Sequence, residues 1–150
     1  MSQTRRLAAL LAALLVPLAT TVLFGGGAAR AQTPRPSVAL CDQAKLIATA
    51  WDDCLRKGQA DTDKGVDEAL ARFKAAIDAR ADLTGQQRAL LKRQIGDSND
   101  LWIRYRNHLC QNVLPILAGP KAKIYEENLG CIIDLNTARR SDLQALMAPR

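Results

Sequence analysis

Four residues of this 150-residue chain have chemistry that their spacing constrains most tightly: Cys41, Cys54, Cys110 and Cys131. Cysteines hold metals, attack substrates or bridge. Metal and haem sites need close pairs such as C-x-x-C, whereas the gaps here are 13, 56 and 21 residues. An even number of well-separated cysteines in an exported chain reads instead as two disulfides. Bridged sulfurs leave no thiol nucleophile. His108 is the only histidine, and no partner that would make it a general base is evident from the sequence. No serine elbow, phosphate loop or H-E-x-x-H pattern occurs. Asp61-x-Asp63-x-Gly65 resembles the start of a calcium loop, but a third acidic ligand is missing and Arg72 stands where the closing glutamate belongs. From these residues no enzymatic chemistry, no metal and no cofactor is expected.

Export follows from the N-terminus. Arg5 and Arg6 precede the uncharged apolar run Leu7 to Phe24, Gly25-Gly26-Gly27 breaks it, and Ala29-Arg30-Ala31 offers a cleavage site. Residues 1–31 are therefore expected to be a signal peptide cut after Ala31. The competing reading is an uncleaved anchor, since 18 uncharged residues approach the roughly 20 that span a bilayer. Thr4-Arg5-Arg6 hints at twin-arginine export, but Ala8 and Ala9 stand where bulky residues are usual, which favours the general route. Leu40 before Cys41 is too large for a lipobox, and Cys41 lies far beyond Phe24. No stable membrane anchor is expected after cleavage, and the expected location is periplasmic or secreted. Loss of Arg5, Arg6 and Arg30 lowers the formal charge from +6 to +3, too mild a value to imply nucleic acid.

About 119 residues then remain, enough for one domain with a modest core. Residues 32–40, with two prolines and no apolar pattern, are expected to be a flexible leader. The rest, 41–147, predicts an all-α fold: a small antiparallel bundle of three main helices plus a short one, cross-linked by two disulfides. The short helix surrounds Cys54, starts at a capping box of Thr49 with Asp52 and stops at Gly58, before a polar loop to Asp63. The second helix, about 64–80, takes Asp63 as its cap and Val66, Leu70, Phe73 and Ile77 as its stripe. The third, about 85–113, starts at the Thr84/Gln87 capping box and carries Leu91, Ile95, Ser98, Trp102, Tyr105, Leu109 and Val113 on one side, with Pro115 stopping it. The fourth, about 124–147, is expected to break or kink near Gly130, with Ile132, Leu135, Leu143 and Leu146 supplying most of its apolar face.

These elements restrict the bridges. A single helix would hold Cys41 and Cys54 about 20 Å apart, so pairing them requires a turn near Thr49. Cys110 and Cys131 flank the loop of a helical hairpin. The preferred pattern is Cys41–Cys54 with Cys110–Cys131, and the crossed pairings stay open.

Trp102-Ile103-x-Tyr105-Arg106-Asn107-x-x-Cys110, then Cys131-Ile132, Arg139 and Leu143, resembles the core signature of the LprI-like lysozyme-inhibitor N-terminal domain family, formerly a domain of unknown function. Cys41 and Cys54-Leu55 match that family's first two cysteines. Asn107 replaces a usual Asp, Asn99 a usual Gln, and Phe73 a common Tyr; a Gly-Gly motif is reduced to Gly119-Pro120. Of the signature residues, Trp102 and Tyr105 are expected in the core, while Arg106 and Arg139 are expected to pair internally rather than with a partner. The resemblance implies a non-catalytic lysozyme inhibitor. Lysozyme clefts carry two carboxylates, which Lys121 and Lys123 could reach from a loop anchored by Cys110–Cys131. A domain at +3 would, however, be repelled by basic lysozymes. The alternative is a cell-envelope structural or chaperone-like binding protein without effect on lysozyme.

Overall fold

The computed structural model describes residues 33–119 and 123–147; the signal peptide with its cut after Ala31, and Lys121, lie outside the described residues. Among the described residues there are five α-helices: α1 (Pro36–Leu40), α2 (Ala48–Asp78), α3 (Gly85–His108), α4 (Leu114–Ala118) and α5 (Ile124–Met147). A single π-helical turn, Leu109–Val113, joins α3 to α4.

The longest element departs from the expected pattern. No short helix ends at Gly58 and no loop precedes Asp63; α2 runs unbroken for 31 residues. It begins after Ile47 without a side-chain cap, so Thr49 and Asp52 form no capping box. An interior glycine costs a helix only about 1 kcal/mol, and the polar stretch supports itself. Lys57 Nζ meets Asp61 Oδ2 at 2.5 Å one turn on, and the Thr62 hydroxyl donates to Gly58 O at 2.8 Å. Gly58 serves a different purpose. It is buried, and a Cβ there would lie 2.6 Å from Leu40 Cδ2 and 3.1 Å from Ile133 Cδ1.

That approach involves the segment expected to be a flexible leader. Residues 36–40 form α1, helped by Pro36 in its first turn, where a missing N–H costs nothing. Asp134 of α5 holds it in place: Arg35 Nε donates to Oδ2 at 2.8 Å and Ser37 N to Oδ1 at 2.7 Å. Gly130, expected to kink α5, lies within the continuous helix. A Cβ there would lie 3.2 Å from Arg35 Nη2 and 3.4 Å from Ser37 Oγ.

The Thr84/Gln87 capping box forms as expected, with both reciprocal bonds present. Pro115 does not stop the helical path. It occupies the first turn of α4, where its lost donor is harmless, and the π turn before it resets the hydrogen-bond register. Gly119, at φ 78°, marks the end of α4.

The long helices run up, down and up. Asp78 pairs with Lys92, Asp63 with Arg106, and Cys110 with Cys131, so α3 is antiparallel to both neighbours. Gly58 faces Ile133, Asp63 faces Asn136 and Gly65 faces Arg140, so α2 and α5 run parallel. These two form the main interface. The core has two parts. Cys41, Leu55, Leu129 and Ile133 pack with Trp51 and Cys54, while Val66, Ala69 and Leu143 pack with Leu70, Ile95 and Trp102. The disulfides are Cys41–Cys54 and Cys110–Cys131, with Cα separations of 5.8 and 5.7 Å. The chain turns back through Asp42–Lys45 rather than at Thr49.

Candidate functional site

Between the two apolar clusters lies a polar layer built by all three long helices. Asp63 of α2, Arg106 of α3 and Asn136 of α5 meet there. Arg106 Nη1 donates to Asp63 Oδ1 at 2.6 Å and to Asn136 Oδ1 at 2.7 Å, while Nε and Nη2 reach Asn107 Oδ1 at 3.1 and 3.0 Å. Asn136 is fully buried, and its amide nitrogen donates to Thr62 Oγ1 and Asp63 Oδ1. Burying polar groups at this depth is tolerable because each finds a partner.

Trp102 is the centre of the second half of the layer. The Arg106 guanidinium stands 5.3 Å from its ring centroid and that of Arg139 stands 5.6 Å away. Both distances fall within cation–π range. Arg139 Nε also contacts Asn99 Oδ1 at 3.5 Å, and Asn99 is the buried residue of α3. The structure thus unites three of the four signature residues, Trp102, Arg106 and Arg139. Their roles inside the fold follow from geometry: Arg106 pairs with an internal carboxylate, as expected.

Tyr105 is the exception. Expected in the core, it is 57% exposed, and Leu101 one turn before it is 63% exposed. The expected stripe of α3 is rotated. Its inward side carries Ile95, Asn99, Trp102 and Arg106, in line with Cys110 of the π turn, so Leu91 faces solvent as well. A 3.6-residue period counts apolar positions, and on this helix the inner positions are partly polar.

Lys123 does not extend as a free cation. Its Nζ sits 5.4 Å from the Trp51 ring centroid and 3.7 Å from Glu126 Oε1. His108 is exposed and contacts Asn112 at 3.4 Å. The four cysteines are all bridged. Among the described residues no cluster of His, Cys, Asp and Glu could hold a metal ion. The resolved charge shifts lie on the surface. At the α2–α3 turn, the hydrogen bond from Arg80 lowers the Asp82 carboxyl to about 2. Near α1, bonds from Lys45 and the Ala44 amide lower Asp42.

Asp63, Asn99 and Asn136 are the members whose place in this layer the sequence reading did not assign. One signal was present. Leu129, Ile132, Asn136 and Leu143 share a helical stripe, so Asn136 is a polar residue at an apolar position.

The fold and this layer define a class: an all-α, disulfide-stapled bundle with an ionic layer through its core. The chain matches no protein-family model, no curated protein and no solved structure. The likeness to the LprI-like family rests on the motif residues alone. Two disulfides accord with a location outside the cytoplasm, and no described helix is long and apolar enough to cross a membrane.

Proposed function

We propose that this chain is a non-catalytic protein-binding domain of the cell envelope, exported and processed after Ala31, with the outer face of α3 as its docking surface. The observation that carries this reading is the exposure of Tyr105 and Leu101. Aromatic and arginine side chains displayed on a fixed element are the composition of an interface anchor, and Leu101 adds exposed apolar area beside Tyr105. Arg104 lies beside them and is also exposed. The opposite side of α3 is held by Arg106 and by Cys110–Cys131, so little order is lost on binding.

The resemblance to the LprI-like family supports a lysozyme as the partner. Arg104 supplies a cation suited to an acidic cleft, a task for which Lys123, engaged with Trp51 and Glu126, is less suited. The test is titration of the processed, oxidised protein against several lysozymes. Inhibition should weaken at least tenfold in Leu101→Asp and Tyr105→Ala. An unchanged lytic rate at micromolar protein would reject the lysozyme assignment. Recovery from periplasm of a stable non-lysozyme partner, lost in Leu101→Asp, would favour the structural or chaperone-like role.

A further inference from the structure

Helix α3 carries seven charged side chains, and three of them are engaged inside the domain. Arg88 donates to the Arg80 and Leu83 carbonyls, Lys92 meets Asp78, and Arg106 meets Asp63. The other four, Arg93, Asp97, Asp100 and Arg104, are exposed and form no ion pair with a described residue. On α2, by contrast, exposed charges pair along the helix, Lys57 with Asp61 and both Lys64 and Arg72 with Glu68. Arg93 with Asp97, and Asp100 with Arg104, stand at that same four-residue spacing, yet neither pair closes.

Position on the helix says what these charges suit. Leu90, Gln94, Asp97, Leu101, Arg104 and His108 recur at spacings of four and three, so they share the outer stripe. At about 100° per residue, Asp97, Asp100 and Arg104 fall on one flank of Leu101, and Ser98 and Tyr105 on the other. Asp97 and Arg104 lie roughly 10 Å apart along the axis, too far to meet within one copy. A second copy brings them together. A twofold axis beside Leu101 runs two α3 helices antiparallel and lays matching flanks side by side. Arg104 of one copy then falls between Asp97 and Asp100 of the other, and the contact occurs twice. On the opposite flank Tyr105 lies over the small Ser98, and the two Leu101 side chains meet at the centre. Arg93 comes level with His108 and Leu109, so no Arg opposes an Arg and no Asp an Asp. A parallel pairing would instead set each acid level with the same acid of its partner.

We propose that the outer face of α3 is self-complementary, and that a second copy covers it in a weak antiparallel dimer centred on Leu101. One helix from each copy makes the contact, so the interface is small and its occupancy follows concentration. The regulatory consequence rests on the reading of this face as the docking surface: the dimer masks it, and a partner must displace the second copy.

Sedimentation equilibrium of the processed, oxidised protein over a concentration series tests this. The parent should pass from monomer to dimer between micromolar and submillimolar protein, and added salt should weaken the association. Asp97→Arg and Arg104→Asp should each weaken it at least tenfold, because each sets like charges against one another across the twofold. Mixing the two variants should restore association to near that of the parent, since every arginine again meets an aspartate; misfolding would not be repaired in this way. Ile116→Asp/Leu117→Asp, at exposed positions of α4, should dimerise as the parent does. A parent that stays monomeric at submillimolar concentration would overturn the proposal. So would a dimer indifferent to both charge reversals, or one abolished by the α4 substitutions. Lysozyme titration separates self-association from docking. A monomeric parent that still inhibits through Leu101 and Tyr105 overturns the dimer alone, whereas a charge-sensitive dimer without effect on lysozyme supports it and removes that partner.

Discussion

Removing the Asp63 carboxylate tests whether the polar layer holds the bundle together. Arg106 is 12% exposed and Asp63 39%. In Asp63→Ala the guanidinium keeps Asn136, Asn107 and the Trp102 face, all neutral, and loses its only opposite charge among the described contacts. Breaking a fully buried pair costs about 3–5 kcal/mol, and the partial exposure of Asp63 screens part of that. The expected loss is about 2–3 kcal/mol, a large share of the ~5–15 kcal/mol that stabilises a typical domain. For a domain of this size it lowers Tm by roughly 10 °C. Urea and thermal unfolding by circular dichroism, with disulfides intact, measure it. Arg106→Met and the double variant complete a cycle, and a coupling of about 1–2 kcal/mol is expected because the two side chains share Asn136. A loss below about 0.5 kcal/mol with no coupling would mean the pair behaves as a solvated surface contact, and the layer would not organise the core.

Three further outcomes follow from the same structure. Cys110→Ser/Cys131→Ser opens a loop of 21-residue separation and should cost about 3 kcal/mol in the chain-entropy model; an unchanged urea midpoint would contradict it. Gly58→Ala gains roughly 1 kcal/mol in helix propensity but crowds Leu40 and the buried Ile133 by about 1–3 kcal/mol. A net loss near 1 kcal/mol is expected, with faster hydrogen exchange at the Ala39 and Cys41 amides that close α1; net stabilisation would show that the contact is slack. Asp82, lowered by Arg80 from 3.8 to about 2, should titrate there by NMR and return towards 3.8 in Arg80→Gln. Its folded value lies below the unfolded one, so the small stabilisation is present above about pH 4 and fades as pH falls through about 2. A midpoint already near 4 in the parent would refute the pairing.

What could be read in advance was what local geometry decides. The Thr84/Gln87 cap is a contact across three residues, and the Val66–Ile77 stripe of α2 is a repeat along one helix. The 13-residue gap between Cys41 and Cys54 demanded a turn between them if the two were bridged. What escaped depends on neighbours distant in the chain. Gly58 reads as a helix stop until Ile133 and Leu40 are known to approach it. Pro36 reads as leader until Asp134 captures Arg35 and Ser37. Helix α3 shows the deeper reason. Its inner side carries Asn99 and Arg106, while Leu90, Leu101 and Tyr105 lie exposed, so its amphipathic pattern is partly inverted. A periodicity rule assigns apolar residues to the core, and here inward positions are taken by Asn99, which faces Arg139, and by Arg106, which faces Asp63 and Asn136. The displaced apolar side chains are therefore left on the surface. That makes the ionic layer and the proposed docking face two consequences of one arrangement of residues on α3.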